Sequence, residues 1–130
     1  MWVLDTNTLI YFFKGEGDIA KKMLTRSPRD IGIPSIVLFE LGVGIAKTKS
    51  PRKRLEQLEE LTAAVQTLPF GVAEAKASAA IRSSLEKAGT RIGAYDVLIA
   101  GTAKTQHATL VTRNTREFKR VKGLVLENWY

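Results

Sequence analysis

Apolar runs too short for a helix alternate along this chain with segments of helical spacing, and that alternation restricts the fold more tightly than any other feature of the sequence. Residues 1–4 are largely apolar and stop at Asp5, where Thr6 or Asn7 can cap a helix over 8–14. Residues 30–33 make a second short run, Pro34 breaks it, and Ser35 is placed to cap a helix over 36–47. After the Ser50-Pro51 turn, Leu55, Leu58, Leu61 and Val65 fall near helical spacing with Glu56, Glu59 and Glu60 between them. A strand over 65–70, an Ala-rich helix over 72–87 that stops at Gly89, and a helix over 92–105 follow. Residues 109–112 and 124–126 read as strands on either side of a short turn or helix at 115–118. Alternation of this kind predicts an α/β fold with a mostly parallel sheet and helices on both faces.

Composition narrows the chemistry. A length of 130 residues with 45% hydrophobic content fits one compact domain over 1–130. No stretch approaches the roughly 20 apolar residues of a membrane span, and Met1 leads straight into Trp2-Val3-Leu4-Asp5 rather than into a signal segment, so the expected location is the cytoplasm. The absence of cysteine excludes disulfides, thiolate zinc sites and cysteine nucleophiles. The one histidine, His107, cannot build a His-rich zinc centre, and beyond the 92–105 helix it reads as a cap or a solvated side chain. Any metal must therefore sit mainly on oxygen. The net charge of +7 favours an anionic partner such as nucleic acid, and it also serves solubility.

Against that background three acids stand out. Asp5 lies where the first strand ends, and open α/β sheets bind ligands outside the carboxyl ends of their strands; capping the next helix would account for an Asp there equally well. Glu40 interrupts Ile36-Val37-Leu38-Phe39 and Leu41-Gly42-Val43, with Val37, Ile36, Val43 and Gly44 three and four residues away. A carboxylate buried on such a face without a partner costs several kcal/mol or takes up a proton, so a cation is its natural companion; a Glu at a helix rim needs none. Asp96 repeats the pattern among Ile92, Gly93, Ile99 and Ala100. One hard cation, Mg²⁺ or Mn²⁺, serves all three acids. Carboxylate-held metal can lower the pKa of water and stabilise charge on a phosphoryl group, as phosphodiester hydrolysis requires. Arg113, Arg116, Lys119, Arg120 and Lys122, with Arg52, Lys53 and Arg54 as a second cluster, are candidates for holding the polyanion, or else are solvated faces. Gly42-Val43-Gly44 lies inside a helical pattern and reads as close packing rather than as a nucleotide loop.

These residues resemble the PIN-domain ribonucleases, and within them the VapC-type toxins of bacterial toxin–antitoxin pairs. The resemblance rests on Val3-Leu4-Asp5-Thr6-Asn7, on Pro34-Ser35 followed by Glu40-Leu41, on Ile92-Gly93-Ala94-Tyr95-Asp96, and on Leu110-Val111-Thr112-Arg113-Asn114-Thr115-Arg116-Glu117-Phe118, and so covers essentially the whole chain. It implies a three-layer α/β/α sandwich whose five-stranded sheet is ordered 3-2-1-4-5. It further implies Asp5, Glu40 and Asp96 as ligands of Mg²⁺ or Mn²⁺, and endonucleolytic cleavage of RNA, with tRNA the expected class. Thr6, Asn7 and Thr112 match polar positions that support the acids in the family, although turn and cap chemistry would also place them there. Many family members carry a fourth acid where this chain has Asn114, which leaves one metal or two open. Glu117 either supplies that charge or pairs with a nearby Arg or Lys.

The run Leu9-Ile10-Tyr11-Phe12-Phe13 goes right round a helix and needs cover on its outer side, from a partner or from neighbouring helices of the same chain. The resemblance supplies two partners, a second copy in a homodimer and a VapB-like antitoxin lying across the acids. Two other uses of the same fold stay open: a noncatalytic RNA- or protein-binding module, and a metal-dependent phosphatase or DNA nuclease.

Overall fold

The computed structural model describes residues 1–130. Five short strands, β1 (Trp2–Leu4), β2 (Ile31–Pro34), β3 (Gln66–Leu68), β4 (Thr109–Val111) and β5 (Val125–Glu127), form one sheet in the order β3-β2-β1-β4-β5. All four pairings are parallel, with Val3 opposite Gly32 and Leu110, and Leu110 opposite Leu126. Parallel neighbours need crossovers, and seven helices provide them: α1 (Thr6–Lys14), α2 (Ile19–Leu24), α3 (Ser35–Ala46), α4 (Pro51–Ala64), α5 (Val72–Ala88), α6 (Ala94–Thr105) and α7 (Thr115–Phe118). The chain builds outward from β1 to β2 and β3, then returns to lay β4 on the other side of β1. The β1/β4 junction is therefore a topological switch point, where crossovers on either side diverge and leave a crevice at the carboxyl ends of the strands.

The sheet reads as continuous apolar runs because both faces are covered: Val3, Leu4, Ile33, Leu110 and Val111 are fully buried. Helices α5 and α6 pack with their backbones close, since a Cβ on Gly101 would collide with Ser78 Oγ. That approach explains the small residues of the sixth helix and makes it a rigid mount for Asp96. No helix of the structure is long and apolar enough to cross a membrane.

Several local expectations are corrected. Helix α1 is capped by Asp5 itself rather than by Thr6 or Asn7, its carboxylate accepting from Thr8 N–H at 2.9 Å. Pro34 completes β2 opposite Leu68 instead of breaking it, and it, not Ser35, occupies the cap position of α3. A proline is tolerated at that last strand position because the helix that follows leaves its first N–H groups unpaired in any case. Pro51 opens α4 at the first helical position, earlier than the Leu55 periodicity indicated. Helix α2 had no sequence signal, because its six residues bury only Ile19 and Met23, too few to establish a period. The chain itself covers the outer side of α1 only in part: residues 10–13 are half-buried, and Tyr11 meets the ring of Tyr130 at 4.9 Å.

Candidate active site

The three acids singled out from sequence are carried to one end of the sheet by three different elements. Asp5 follows β1 directly and is only 5% exposed. Thr8 N–H holds its Oδ1, and the Thr112 hydroxyl, at the end of the adjacent β4, also bonds the carboxylate. Burial nevertheless dominates and pushes the Asp5 carboxyl upward, because its donors are neutral and do not replace the lost water. Asp5 therefore caps α1 and also lies near enough to Asp96 for its charge to act there.

Glu40, in the second turn of α3, is half-buried, and its Oε1 accepts from Thr6 Oγ1 at 2.7 Å. Asp96 lies in the first turn of α6, where Gly93 keeps the approach clear, a Cβ there falling 3.1 Å from Asp96 Oδ2. Its carboxyl is pushed up to about 6, first by burial and then by the negative charges of Asp5, Glu40 and Glu117. Four carboxylates thus share one electrostatic environment although they come from four distant parts of the sequence. As they stand they do not converge on one point, since no group of three or more acidic or histidine side chains is gathered tightly enough to enclose a cation. Separation is what like charges adopt when the chain gives them no counter-charge. The protein's ion pairs, Arg26–Glu127 and Arg82–Glu86, both lie elsewhere.

Asn114 and Glu117 act as a unit. Asn114 Nδ2 donates to Glu117 Oε2 at 2.7 Å, and Asn114 N–H donates to Thr112 Oγ1 at 3.0 Å, linking the amide, the acid and the threonine that holds Asp5. Glu117 pairs with no Arg or Lys, and its charge is felt at Asp96. Asn7 is exposed on the first turn of α1. Sequence reasoning missed Thr8, which is buried and ties the site to the sheet through Oγ1 to the Val111 carbonyl at 3.1 Å. The signal available was its position three residues after a strand-end Asp, the spacing of an N-cap bond.

Among the basic candidates, the guanidinium of Arg113 lies 3.6 Å from the ring centroid of Tyr130 and 5.4 Å from that of Tyr11. Arg116 and Lys119 are exposed on and just after α7, and Arg120 donates to the Arg91 carbonyl at 2.8 Å. Arg54 donates to the Phe13 carbonyl and to Gln57 Oε1. Beside Glu40 a cavity of about 220 Å³ opens between α1, α3 and α4, lined by Ile10, Phe13, Leu41 and Ile45, with Lys14 and Arg54 also on its wall.

Comparison with known proteins gives a consistent picture. The PIN domain family model matches residues 2–124. The tRNA(fMet)-specific endonuclease VapC of Shigella flexneri is 33% identical over 128 residues, covering 98% of this chain and 97% of that one. Ribonuclease VapC2 of Rickettsia felis is 35% identical over 131 residues, covering 99% and 98%. Among solved structures, the VapBC2 complex of Rickettsia felis bound to a DNA fragment from its promoter superposes with a TM-score of 0.92 at 33% identity, covering 99% of this chain and 98% of that one.

Proposed function

This chain belongs to the PIN-domain family, and within it to the VapC ribonucleases, and from that premise we propose that Asp5, Glu40 and Asp96 form the cleavage site of an endoribonuclease toxin that depends on Mg²⁺ or Mn²⁺. The observation that carries this reading is the grouping of the carboxylates: the Asp96 carboxyl is raised first by burial and then by three other acids, none of which is in an ion pair with Lys or Arg. A set of carboxylates with no protein counter-charge fits a hard divalent cation, which prefers oxygen and keeps several waters.

Asp5, Glu40 and Asp96 would hold that cation, with Asn114 and Glu117 beside them. When bound, it lowers the pKa of water and neutralises charge on the phosphoryl group. The chain's own side chains prepare the site. Thr8 N–H and Thr112 fix the Asp5 carboxylate, Thr6 fixes Glu40, and Asn114 keeps Glu117 turned toward its own amide. Neutral donors orient the acids without discharging them, so the full negative charge remains for the metal. The packing of α5 against α6 holds Asp96 in register with β1 and β4.

The substrate is RNA, with tRNA the expected class from the VapC of Shigella flexneri, and the protein acts in the cytoplasm as one PIN domain over 1–130. Its regulator is a VapB-like antitoxin, as in the VapBC complexes that share its fold, and its expected assembly is a homodimer. The apolar cavity beside Glu40 is a place where an antitoxin segment can reach the acids. Purified protein incubated with total cellular RNA tests the reading. Cleavage is expected with Mg²⁺ and not in excess chelator, and Asp5→Asn and Asp96→Asn are expected to lose it while remaining folded. Full cleavage by either variant sinks the proposal. Parallel incubation with single-stranded DNA and a small phosphate ester, both expected to stay intact, separates a ribonuclease from a DNA nuclease or a phosphatase.

A further inference from the structure

A basic groove runs along the outer side of α5, away from the acids. Its upper part, about 210 Å³, lies between α5 and the start of α6 and is lined by Arg82, Glu86 and Arg91; its lower part, about 200 Å³, is lined by Lys104, Arg120 and Lys122. Leu85 lines both parts, so they are neighbouring depressions that meet at one buried side chain. Ala94 and Val97 close the upper end, and these residues bracket Asp96 on the same turn of α6.

The lower part has no carboxylate in its lining. Lys104 Nζ donates to the Lys122 carbonyl at 3.0 Å, and Arg120 Nη1 donates to the Arg91 carbonyl at 2.8 Å. Backbone carbonyls fix the positions of these cations without cancelling their charge, and the second bond brings Arg120 onto the residue that carries another guanidinium. The one carboxylate in the lining, Glu86, is bonded to Arg82 at 2.9 Å. Small side chains of α5, Ala77 and Ala80, floor the lower part and let an extended backbone approach closely. An ordinary solvated face has its cations splayed into water; here they are tied to main chain around a concave surface.

We propose that this groove holds the phosphate backbone of the substrate RNA at nucleotides remote from the scissile bond. The assignment rests on the ribonuclease reading above. It predicts a lower KM for long RNA than for short, because short RNA reaches the acids but not the groove. The acids repel a polyanion, and attraction at a second place on the surface offsets that repulsion.

The test compares wild type with Lys122→Glu and with Lys104→Ala/Arg120→Ala/Lys122→Ala. Lys122 contributes no side-chain hydrogen bond, so its reversal leaves the packing intact and covers the event that the triple variant fails to fold. Cleavage of a long RNA is expected to show KM raised at least about tenfold with kcat within about twofold for the triple variant, while a tetranucleotide is cut as by wild type. RNA binding in excess chelator, where no cleavage interferes, should have a log–log salt slope shallower by about 2 in the triple variant, at about 0.7 per single-strand phosphate contact. Lys122→Glu should weaken that binding at low salt. Wild-type KM and salt slope in both variants overturn the groove. Failure of the wild type to cut any RNA overturns the ribonuclease reading instead, and the binding arm still decides the groove.

Discussion

Two regions of this protein bring carboxylates and aromatic or polar neighbours together, and they do so with opposite electrostatics. Between Trp2 at the start of β1 and Glu127 at the end of β5, with β4 lying between these strands, Glu127 accepts from Trp2 Nε1 and lies 3.9 Å from Arg26, whose guanidinium sits 4.5 Å from the ring centroids of both Trp2 and Trp129. At the carboxyl edge of the sheet, Asp5, Glu40, Asp96 and Glu117 have only threonine hydroxyls, an amide side chain and backbone N–H groups. The first cluster contains its own cation and closes on itself, fastening α2 to the sheet and to the chain end. The second has no Lys or Arg paired with its acids. The chain can pair its acids, and the unpaired set is where the proposed cation would bind.

That contrast can be broken in several ways. Thr112→Val removes the hydroxyl that holds Asp5 and accepts from Asn114 N–H while keeping the shape of a fully buried side chain. RNA cleavage should fall by about 10–100-fold, the usual cost of losing a residue that orients a metal ligand. An unchanged rate would mean that Thr112 serves packing alone. Arg26→Met should do the reverse. Loss of the cation from between two indoles should lower unfolding free energy by about 2 kcal/mol in a denaturant titration, with cleavage at 25 °C unaltered. A loss of activity without loss of stability would erase the distinction between the two regions.

The pH dependence of stability gives a subtler test. The Asp96 carboxyl is raised from 3.8 to about 6 in the folded protein, so the folded state binds its proton more tightly than the unfolded chain does. Its contribution is fully present below about pH 4 and is lost as pH rises through about 6, the opposite of a salt-bridged Asp. The metal-free wild type should therefore lose melting temperature relative to Asp96→Asn across that window, and at pH 8 the variant should be the more stable. Equal melting curves at both ends of the window would contradict the repulsion. Smallest of all, Glu117→Gln should lower cleavage by less than about tenfold, since Glu117 acts on the site through Asn114 and through space rather than from its centre.

Much of the fold was legible because the strands β1, β2 and β4 are buried apart from the first residues of β1 and β4, and appear as apolar runs with polar stops. Sheet order was not: nothing in the spacing of short strands says which neighbours pair, and the order 3-2-1-4-5 came from the resemblance to PIN domains. Glu40 and Asp96 were visible as lone acids in apolar helical stripes, whereas Asp5 was ambiguous for a physical reason, since it caps α1 with one oxygen and belongs to the acidic cluster as well. Long-range partnerships were out of reach. Neither Thr6 on Glu40 nor Trp2 on Glu127, 125 residues apart, follows from any local pattern. The groove along α5 escaped as well, because its cations come from separate elements and only Arg120 and Lys122 lie in a visible basic run.

The central claim is that the unpaired acids constitute a cation site, and calorimetric titration of the RNA-free protein with Mn²⁺ at pH 7.5 tests it most directly. Saturable binding is expected for the wild type, lost in Asp5→Asn and in Asp96→Asn, and retained in Arg26→Met. Absence of binding to the folded wild type, or equal binding by Asp5→Asn, would contradict it.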